Sequence, residues 1–320
     1  MDFLTDEEKL LYSTFFPFYY QRAALVWSTK KRFVHYSSAD TVMKIVKNRE
    51  IWLRKASCMN DFMEIEWGKY TLTQAYESDS GERFKRAFDD AFPNVRLDVE
   101  GNFNNWLLHL TDTYFACLSE HNDHEDLMGR LSMWRAYGGA TGVAVVVHSA
   151  PFILPAQASL GFWSSPVAYL SVEDLKKQMD LIASTISANR KTLAGIGAET
   201  AANHLFNIFR YAVLCNKHPG FGEELEWRIV YSPRLGRSNH LKQDVVSIGG
   251  VPQLIYKLPL RDAPDHGLTG ITPDLLLDRV IIGPTEYPDA IRDAFVSLLV
   301  DGEISNPHDK IFVSNIPLRR

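Results

Sequence analysis

The run of apolar, mostly β-branched residues from Gly142 to His148 predicts a buried strand. Other apolar runs are also of strand length, and they are mixed with segments of helical periodicity. These further predicted strands are residues 33–36, 51–53, 114–118, 225–231, 254–258, 279–282 and 311–313. Because strands and helices do not follow a regular βαβ order, we expect an α+β fold rather than a doubly wound sheet.

Composition and charge exclude several classes of protein. The 320 residues are 46% hydrophobic and 23% charged, which is enough apolar content for a large core and excludes a disordered chain. The formal net charge of −5 gives no basic field over the whole protein that would attract nucleic acid or an anionic membrane. The cysteines are widely spaced, the apolar runs are too short to span a membrane, and the N-terminus is acidic. We therefore expect a cytoplasmic protein that does not contact a membrane.

No internal repeat or flexible linker divides the sequence. We expect residues 1–32 to form an N-terminal helical and aromatic extension. Residues 33–320 are expected to form a single α+β domain, with helical insertions near residues 60–110 and 171–216.

Residues 224–228, Glu-Leu-Glu-Trp-Arg, are the most informative local pattern for chemistry. In a strand, Glu224 and Glu226 would share one face. Two carboxylates so close together raise the pKa of one of them, which suits acid–base catalysis or the stabilisation of positive charge. The alternative is a pair of solvated glutamates at a sheet edge, with Arg228 as a paired neighbour.

Polar and aromatic side chains elsewhere could hold a ligand. His35 and Ser37, at the end of the first predicted strand, offer hydrogen bonds to a sugar hydroxyl. Trp134 and Tyr137 lie three residues apart on one predicted helix face, where they could stack on a planar heterocycle. The alternatives are a core histidine followed by a helix N-cap, and ordinary core packing of the two aromatic rings.

Two groups of charged residues have plain alternative interpretations. Basic residues around Arg54 could bind a phosphate or belong to a solvated face. Residues 121–126, His-Asn-Asp-His-Glu-Asp, contain side chains that can bind a metal, but such sites need ligands that are fixed by rigid elements. We expect a solvated loop in which His121 and His124 are exposed and carry no metal.

The order and spacing of several motifs resemble the bacterial family known as domain of unknown function 2971, from about residue 33 to the C-terminus. The markers in this sequence are His35-Tyr36-Ser37, Asn60-Asp61 with Glu64, Cys117-Leu118-Ser119, Met133-Trp134 with Tyr137 and Gly142, Glu224 with Glu226-Trp227-Arg228, and Val280-Ile281-Ile282-Gly283. The sequence departs from the family pattern at Phe62, where proline is usual, and at Leu118, where an aromatic residue is frequent. The pattern is also similar to abortive-infection and phage-resistance proteins.

At His35, Glu224 and Glu226 the pattern resembles, more distantly, the ADP-ribosyltransferase superfamily. This resemblance implies a split, mostly antiparallel β core with helical insertions, and an enzyme that transfers ADP-ribose from NAD or cleaves NAD. It implies that Glu226 binds the 2′-hydroxyl and stabilises an oxocarbenium-like ribose. Glu224 would orient or deprotonate the acceptor.

The same resemblance implies how NAD is held, without a metal. The residues expected to contact NAD are His35, Tyr36, Ser37, Arg54, Asn60, Trp134, Tyr137 and Arg228. Among them, the histidine would hold the adenine-side ribose, Trp134 and Tyr137 would stack on a ring, and an arginine would pair with the pyrophosphate. The acceptor would be a protein or a nucleic acid, and the protein a toxin or phage-defence effector with a phage-encoded trigger.

Two other functions stay open. The same pocket could bind a nucleotide or a phage component without catalysis, as a sensor module. Alternatively, the side chains of residues 121–126 could serve a metal-dependent hydrolase or nuclease. NAD turnover distinguishes the enzyme from the sensor.

Overall fold

The computed structural model describes residues 1–58, 62–153, 160–248 and 250–318. The helices are α1 (Asp6–Phe15), α2 (Pro17–Ser28), α3 (Ala39–Asn48), α4 (Phe62–Tyr76), α5 (Asp79–Ala91), α6 (Arg96–Leu107), α7 (Leu131–Met133), α8 (Ala150–Ile153), α9 (Val172–Ala188), α10 (Arg190–Leu193), α11 (Ala198–Leu214), α12 (Pro273–Leu276) and α13 (Pro288–Asp301). The strands are β1 (Arg32–Ser38), β2 (Glu50–Lys55), β3 (Tyr114–His121), β4 (Gly142–His148), β5 (Trp163–Pro166), β6 (Glu226–Tyr231), β7 (Lys242–Ile248), β8 (Val251–Pro259), β9 (Leu277–Ile282) and β10 (Ile311–Val313). This mixture confirms the predicted α+β class.

One compact unit is helical and comprises residues 1–25, 56–113 and 165–222. Within it, α4 packs against α9 and α11, α5 packs against α9, and α6 packs against α11. At Gly68, α4 and α11 approach so closely that an added Cβ would collide with the Val213 carbonyl oxygen. Both helical insertions expected from the sequence fall within this unit.

An aromatic cluster fills part of the helical unit. The Phe15 ring stacks on the His204 imidazole with 4.8 Å between their centroids, and Phe16 meets the same imidazole edge-on. Phe16 also contacts Tyr211. Burial lowers the pKa of His204, and its buried Nε2 atom has no hydrogen-bond partner among the described residues. Neutral His204 therefore packs in this core through its ring, as the neighbouring aromatic side chains do.

The other unit comprises residues 26–55, 114–164 and 223–320 and contains the sheet. The strand order is β10-β9-β4-β1-β3-β2-β8-β7, and β6 pairs with β3 and β5. β9 and β10 are parallel, whereas β1 is antiparallel to both β3 and β4. β4, which the apolar run at 142–148 predicts, lies between β1 and β9 and is almost entirely buried.

Different groups cover the two faces of β4 and β9. On one face, Val42 of α3 and Phe295 of α13 pack against Val143. On the other face, Trp134 packs against Val34 in a second apolar cluster. Successive residues of β4 therefore face different clusters, with Val143 in the first and Ala144 in the second.

Candidate functional site

The sheet divides along β3. On one side of β3, Ser119 pairs with Val34 of β1, and Phe115 pairs with Arg54 of β2. On the other side, the same two residues of β3 pair with β6. β1 and β2 therefore lie on one side of β3, at its opposite ends, and residues 116–118 lie between the two pairings.

A cavity of about 230 Å³ opens beside this gap, and every residue lining it belongs to the sheet-containing unit. Polar and aromatic side chains contribute to its wall beside apolar residues of α3, α12 and α13. The lining includes His35 and Ser37 from β1, Trp52 and Arg54 from β2, and Cys117 and Leu118 from β3. The structure thus brings together three residues predicted to contact a cofactor: His35, Ser37 and Arg54. Asn60, also predicted there, lies outside the described residues.

His35 has a defined hydrogen-bonding state. Its Nδ1 atom lies 3.0 Å from the carbonyl oxygen of Cys117. Because a carbonyl oxygen only accepts, Nδ1 carries the hydrogen and Nε2 is left as an acceptor. Burial lowers the pKa of His35, although the hydrogen bond to Cys117 opposes the shift, so the imidazole is neutral near pH 7.

Sequence reasoning did not single out Trp52. It lines the cavity from β2, and its buried indole Nε1 has no hydrogen-bond partner among the described residues. Lys257, its register partner on β8, places its ammonium 5.7 Å from the centroid of the Trp52 ring. The sequence predicts a strand at 51–53, but nothing in it indicates that the indole donor is unsatisfied.

Arg54 is oriented by a side chain of β8. Its Nε and one terminal nitrogen donate to the Gln253 amide oxygen at 3.3 and 3.1 Å. Gln253 is itself buried. This arrangement holds a guanidinium at the cavity wall, where it could pair with an anionic group of a ligand.

Glu226 and Arg228 form a buried ion pair on β6. The Arg228 Nε donates to Glu226 Oε1 at 2.7 Å, and both side chains are less than one-tenth exposed. Arg228 lies directly opposite Cys117, and its guanidinium stands 5.2 Å from the centroid of the Phe115 ring. This agrees with the alternative interpretation in one respect, because Arg228 is the partner of Glu226, but the pair is buried rather than solvated.

Glu226 and His35 lie on opposite faces of the sheet. Glu226 pairs with Ser119, and Ser119 pairs with Val34, so these side chains share a face. His35 follows Val34 and points to the other face. Two strand spacings place the Val34 and Glu226 backbones about 10 Å apart. His35 lines the cavity, whereas Glu226 is one strand away from it.

The prediction that Glu224 and Glu226 share one strand face is wrong. Leu225 adopts a left-handed conformation with φ of 47°, and β6 begins only at Glu226. Glu224 instead ends a 3₁₀ turn, where its carboxylate accepts a hydrogen bond of 3.1 Å from the Tyr137 hydroxyl. The Arg130 guanidinium donates to the Glu224 carbonyl at 3.2 Å and fixes this turn.

Trp134 and Tyr36 lie in the core on the Glu226 face. Trp134 is fully buried, and its indole Nε1 donates to the Met128 carbonyl at 2.7 Å. The Tyr36 and Trp134 rings meet edge-to-face at 4.8 Å, and the Tyr36 hydroxyl accepts from the Arg130 backbone amide. Among the described lining residues of the cavity, neither ring is present. Trp134 therefore fits the core-packing alternative.

The expectation of a solvated loop at residues 121–126 is wrong for His121. This side chain is fully buried at the end of β3, and its Nε2 lies 2.8 Å from Asp126. Asp126 also pairs with Arg32 at 2.8 Å, and Glu125 pairs with Arg130 at 2.7 Å. His124 is exposed, as predicted. Among the described residues, no group of metal-binding side chains has the arrangement of a metal site.

A family model matches the middle of the chain, from Met133 of α7 to Ile229 of β6. Residues 133–229 match the family described as protein of unknown function (DUF2971). This confirms the family resemblance predicted from the motifs. The DUF2971 match includes both Glu224 and Glu226, whereas His35 precedes it. No curated protein and no solved structure matches the chain.

Within the described ranges, no helix has the length and apolar character needed to cross a membrane.

Proposed function

We propose that this chain binds a nucleotide, with the base and ribose in the cavity beside β3. The observation that carries the proposal is the convergence of His35, Ser37 and Arg54 on one concave, mostly apolar wall. Ligand sites combine a mostly apolar lining with a few placed polar groups. Here the apolar wall would pack against the base. His35 and Ser37 of β1 would hydrogen-bond to the sugar hydroxyls, and Arg54 would pair with a phosphate.

NAD is the nucleotide that the proposal favours. A cavity of about 230 Å³ is below the usual size of a site for a whole drug-sized ligand, so it would enclose one nucleoside half of a dinucleotide. The pyrophosphate and the second half would then extend toward Arg54 and the cavity mouth. The split of β1 from β2 also supports an ADP-ribosyltransferase-like arrangement of the core as part of this proposal.

A second candidate function is the cleavage of NAD or the transfer of ADP-ribose to a protein or nucleic acid acceptor. It rests on the resemblance at His35, Glu224 and Glu226, and it requires Glu226, which lies one strand from the cavity and on the opposite sheet face from His35, to reach the ligand. In this reaction the bond between C1′ and nicotinamide breaks, nicotinamide leaves with the electron pair, and the oxygen of water or of an acceptor hydroxyl forms a new bond to C1′. Glu226 would stabilise the cationic ribose, and Glu224 would take the proton of the attacking hydroxyl. Both carboxylates would first have to leave Arg228 and Tyr137. Such an enzyme would act as a toxin or phage-defence effector.

Titration calorimetry with NAD tests the binding function. We expect saturable binding by the full chain, at least about tenfold weaker in Arg54→Met, since a charge-assisted contact is worth roughly 1.5–3 kcal/mol. The matched control is Arg83→Met, because Arg83 lies in the helical unit and pairs with Asp180. No heat of binding with NAD would refute the proposal.

Release of nicotinamide from the same samples separates the two candidates. Binding with release supports the enzyme, and binding without release, in the presence of added protein and nucleic acid acceptors, supports a sensor module. A metal-dependent nuclease would instead show metal-stimulated cleavage of nucleic acid without any affinity for NAD.

A further inference from the structure

We infer that Trp52 determines the specificity of the cavity, its indole N–H donating to an acceptor atom at the edge of the ligand's heteroaromatic ring. This inference rests on the proposed nucleotide-binding function and names a contact that the function does not require. The acceptor would be a carboxamide oxygen of nicotinamide or a ring nitrogen of adenine.

The first argument is the unsatisfied donor itself. Buried polar side-chain atoms in folded proteins almost always have a hydrogen-bond partner. Nε1 of Trp52 is buried and has none among the described residues, although the residue lines a cavity. An indole nitrogen only donates, so the missing partner must be an acceptor. A ligand atom in the cavity would supply it.

The second argument is that the indole is held in place without that partner. The Lys257 ammonium stands 5.7 Å from the ring centroid, and it is fixed by Glu50 at 3.3 Å and Asp244 at 2.7 Å. Since Trp52 and Lys257 are register partners on neighbouring strands, this contact is built into the sheet. The donor therefore keeps its direction before a ligand arrives, which reduces the ordering that binding requires.

The third argument is complementarity with His35. In its neutral state His35 keeps Nε2 as an acceptor, and it lines the same cavity as Trp52, whose indole nitrogen is a donor. A flat ring with an acceptor on its edge, joined to a hydroxyl-bearing sugar, satisfies both groups. A site with such a donor discriminates against analogues that lack the acceptor, because the donor then stays unpaired.

Affinity measurements with Trp52→Phe test the inference, since phenylalanine keeps a ring but removes the N–H. We expect NAD to bind Trp52→Phe about fivefold more weakly than the unaltered protein, the effect of one neutral hydrogen bond. The matched control is Trp67→Phe, because the Trp67 indole donates to the Leu170 carbonyl at 3.3 Å within the helical unit. This control should bind NAD unchanged. Nicotinamide mononucleotide and adenosine monophosphate, tested separately, show which ring carries the acceptor.

The indole resonances give a readout that loss of packing alone would not move. Nitrogen-15 labelling of the seven tryptophans gives their Nε1–H signals, and the signal missing in Trp52→Phe identifies Trp52. We expect this signal to move downfield when NAD saturates the protein, as a new hydrogen bond forms. If NAD binds but the Trp52 signal does not move, or if NAD binds Trp52→Phe with equal affinity, the inference is overturned and the proposed function is not. Absence of binding by all three nucleotides overturns the proposed function and this inference with it.

Discussion

The Nδ1 atom of His35 lies 3.0 Å from the carbonyl oxygen of Cys117, where backbone pairing between β1 and β3 has ended. A side chain thus continues the link between two strands that have begun to diverge. The cavity lies beside this bond. The His35 imidazole therefore both links the two strands and forms part of the cavity wall that a ligand would contact.

Replacing His35 should lower the stability of the folded protein. In His35→Phe the Cys117 carbonyl loses its donor, and we expect the free energy of unfolding to fall by about 1–3 kcal/mol. His35→Asn can still donate and should lose less. Urea unfolding measures both variants, and His124→Phe is the control because His124 is exposed. An unfolding free energy of His35→Phe equal to that of the unaltered protein would show that the hydrogen bond contributes nothing.

Because Glu226 and Arg228 form a buried ion pair, we predict that removing the charge of Glu226 also lowers the stability of the folded protein. Glu226→Gln leaves a buried guanidinium without its carboxylate, so we expect a loss of about 3–5 kcal/mol in unfolding free energy. The double variant Glu226→Gln with Arg228→Met removes both charges and should recover part of this loss. Chemical denaturation of the single and double variants gives the coupling between them.

Nicotinamide release from these two variants separates catalysis from folding. If Glu226 stabilises the cationic ribose, both proteins should lose about 10²- to 10³-fold in rate, including the more stable double variant. A normally stable, active Glu226→Gln protein contradicts the ion pair and the catalytic assignment together.

Gly283 is predicted to be essential for the packing of Trp134. A Cβ at this position would lie 2.8 Å from atoms of the Trp134 ring. We expect Gly283→Ala to cost about 1–3 kcal/mol of stability, and combining it with Trp134→Phe to relieve part of this overpacking. Gly101→Ala is the control, since nothing lies within 4 Å of its added Cβ in α6. That control should leave stability equal or slightly higher. Thermal melting of all four proteins decides whether the contact is as tight as the geometry indicates.

Stability should fall below about pH 6.5 because several histidines are buried in the neutral state. Burial lowers the pKa of His35, His121 and His204 in the folded protein, so the unfolded chain binds more protons as the pH drops. The slope is at most about 1.4 kcal/mol per pH unit for each histidine that titrates only in the unfolded state. His204→Phe keeps a flat ring beside Phe15. It should reduce the dependence of the unfolding free energy on pH by the contribution of one histidine. Urea unfolding between pH 5 and 8 measures it, and an unchanged slope in His204→Phe would mean that His204 titrates normally.

Local signals predicted much of the secondary structure. The β-branched run at 142–148 corresponds to β4. The helical insertion expected near residues 171–216 begins with α9, where the Ser171 hydroxyl accepts from the Asp174 amide. Thr5 and Glu8 form a capping box at the start of α1, a pattern that the spacing of the two residues can indicate. β7 has no such signal, because it is an edge strand with mostly exposed residues and no alternation.

Features that depend on tertiary contacts could not be read from the sequence. The sequence predicts a helix that carries Trp134 and Tyr137 on one face, but α7 is one short turn, followed by a π-helical turn at Trp134–Gly138. Gly129, with φ of 70°, lies against the Trp134 ring and delays the helix start. The division of the sheet depends on the register of β3 with three other strands, and Glu224 leaves β6 because Leu225 adopts a positive φ. Such long-range pairings and single-residue conformations have no periodic signature.

The alternation of the two units along the chain has a consequence for synthesis on the ribosome. The cavity uses His35 near one end of the sequence and Leu299 and Ile304 near the other. At 5–20 residues per second, roughly 15–50 s separate the emergence of these two parts of its wall. During that time the nascent chain exposes the apolar surfaces of α3 and β4 that α13 later covers. A pause in translation before α13 would therefore lengthen the exposure of a surface that chaperones recognise.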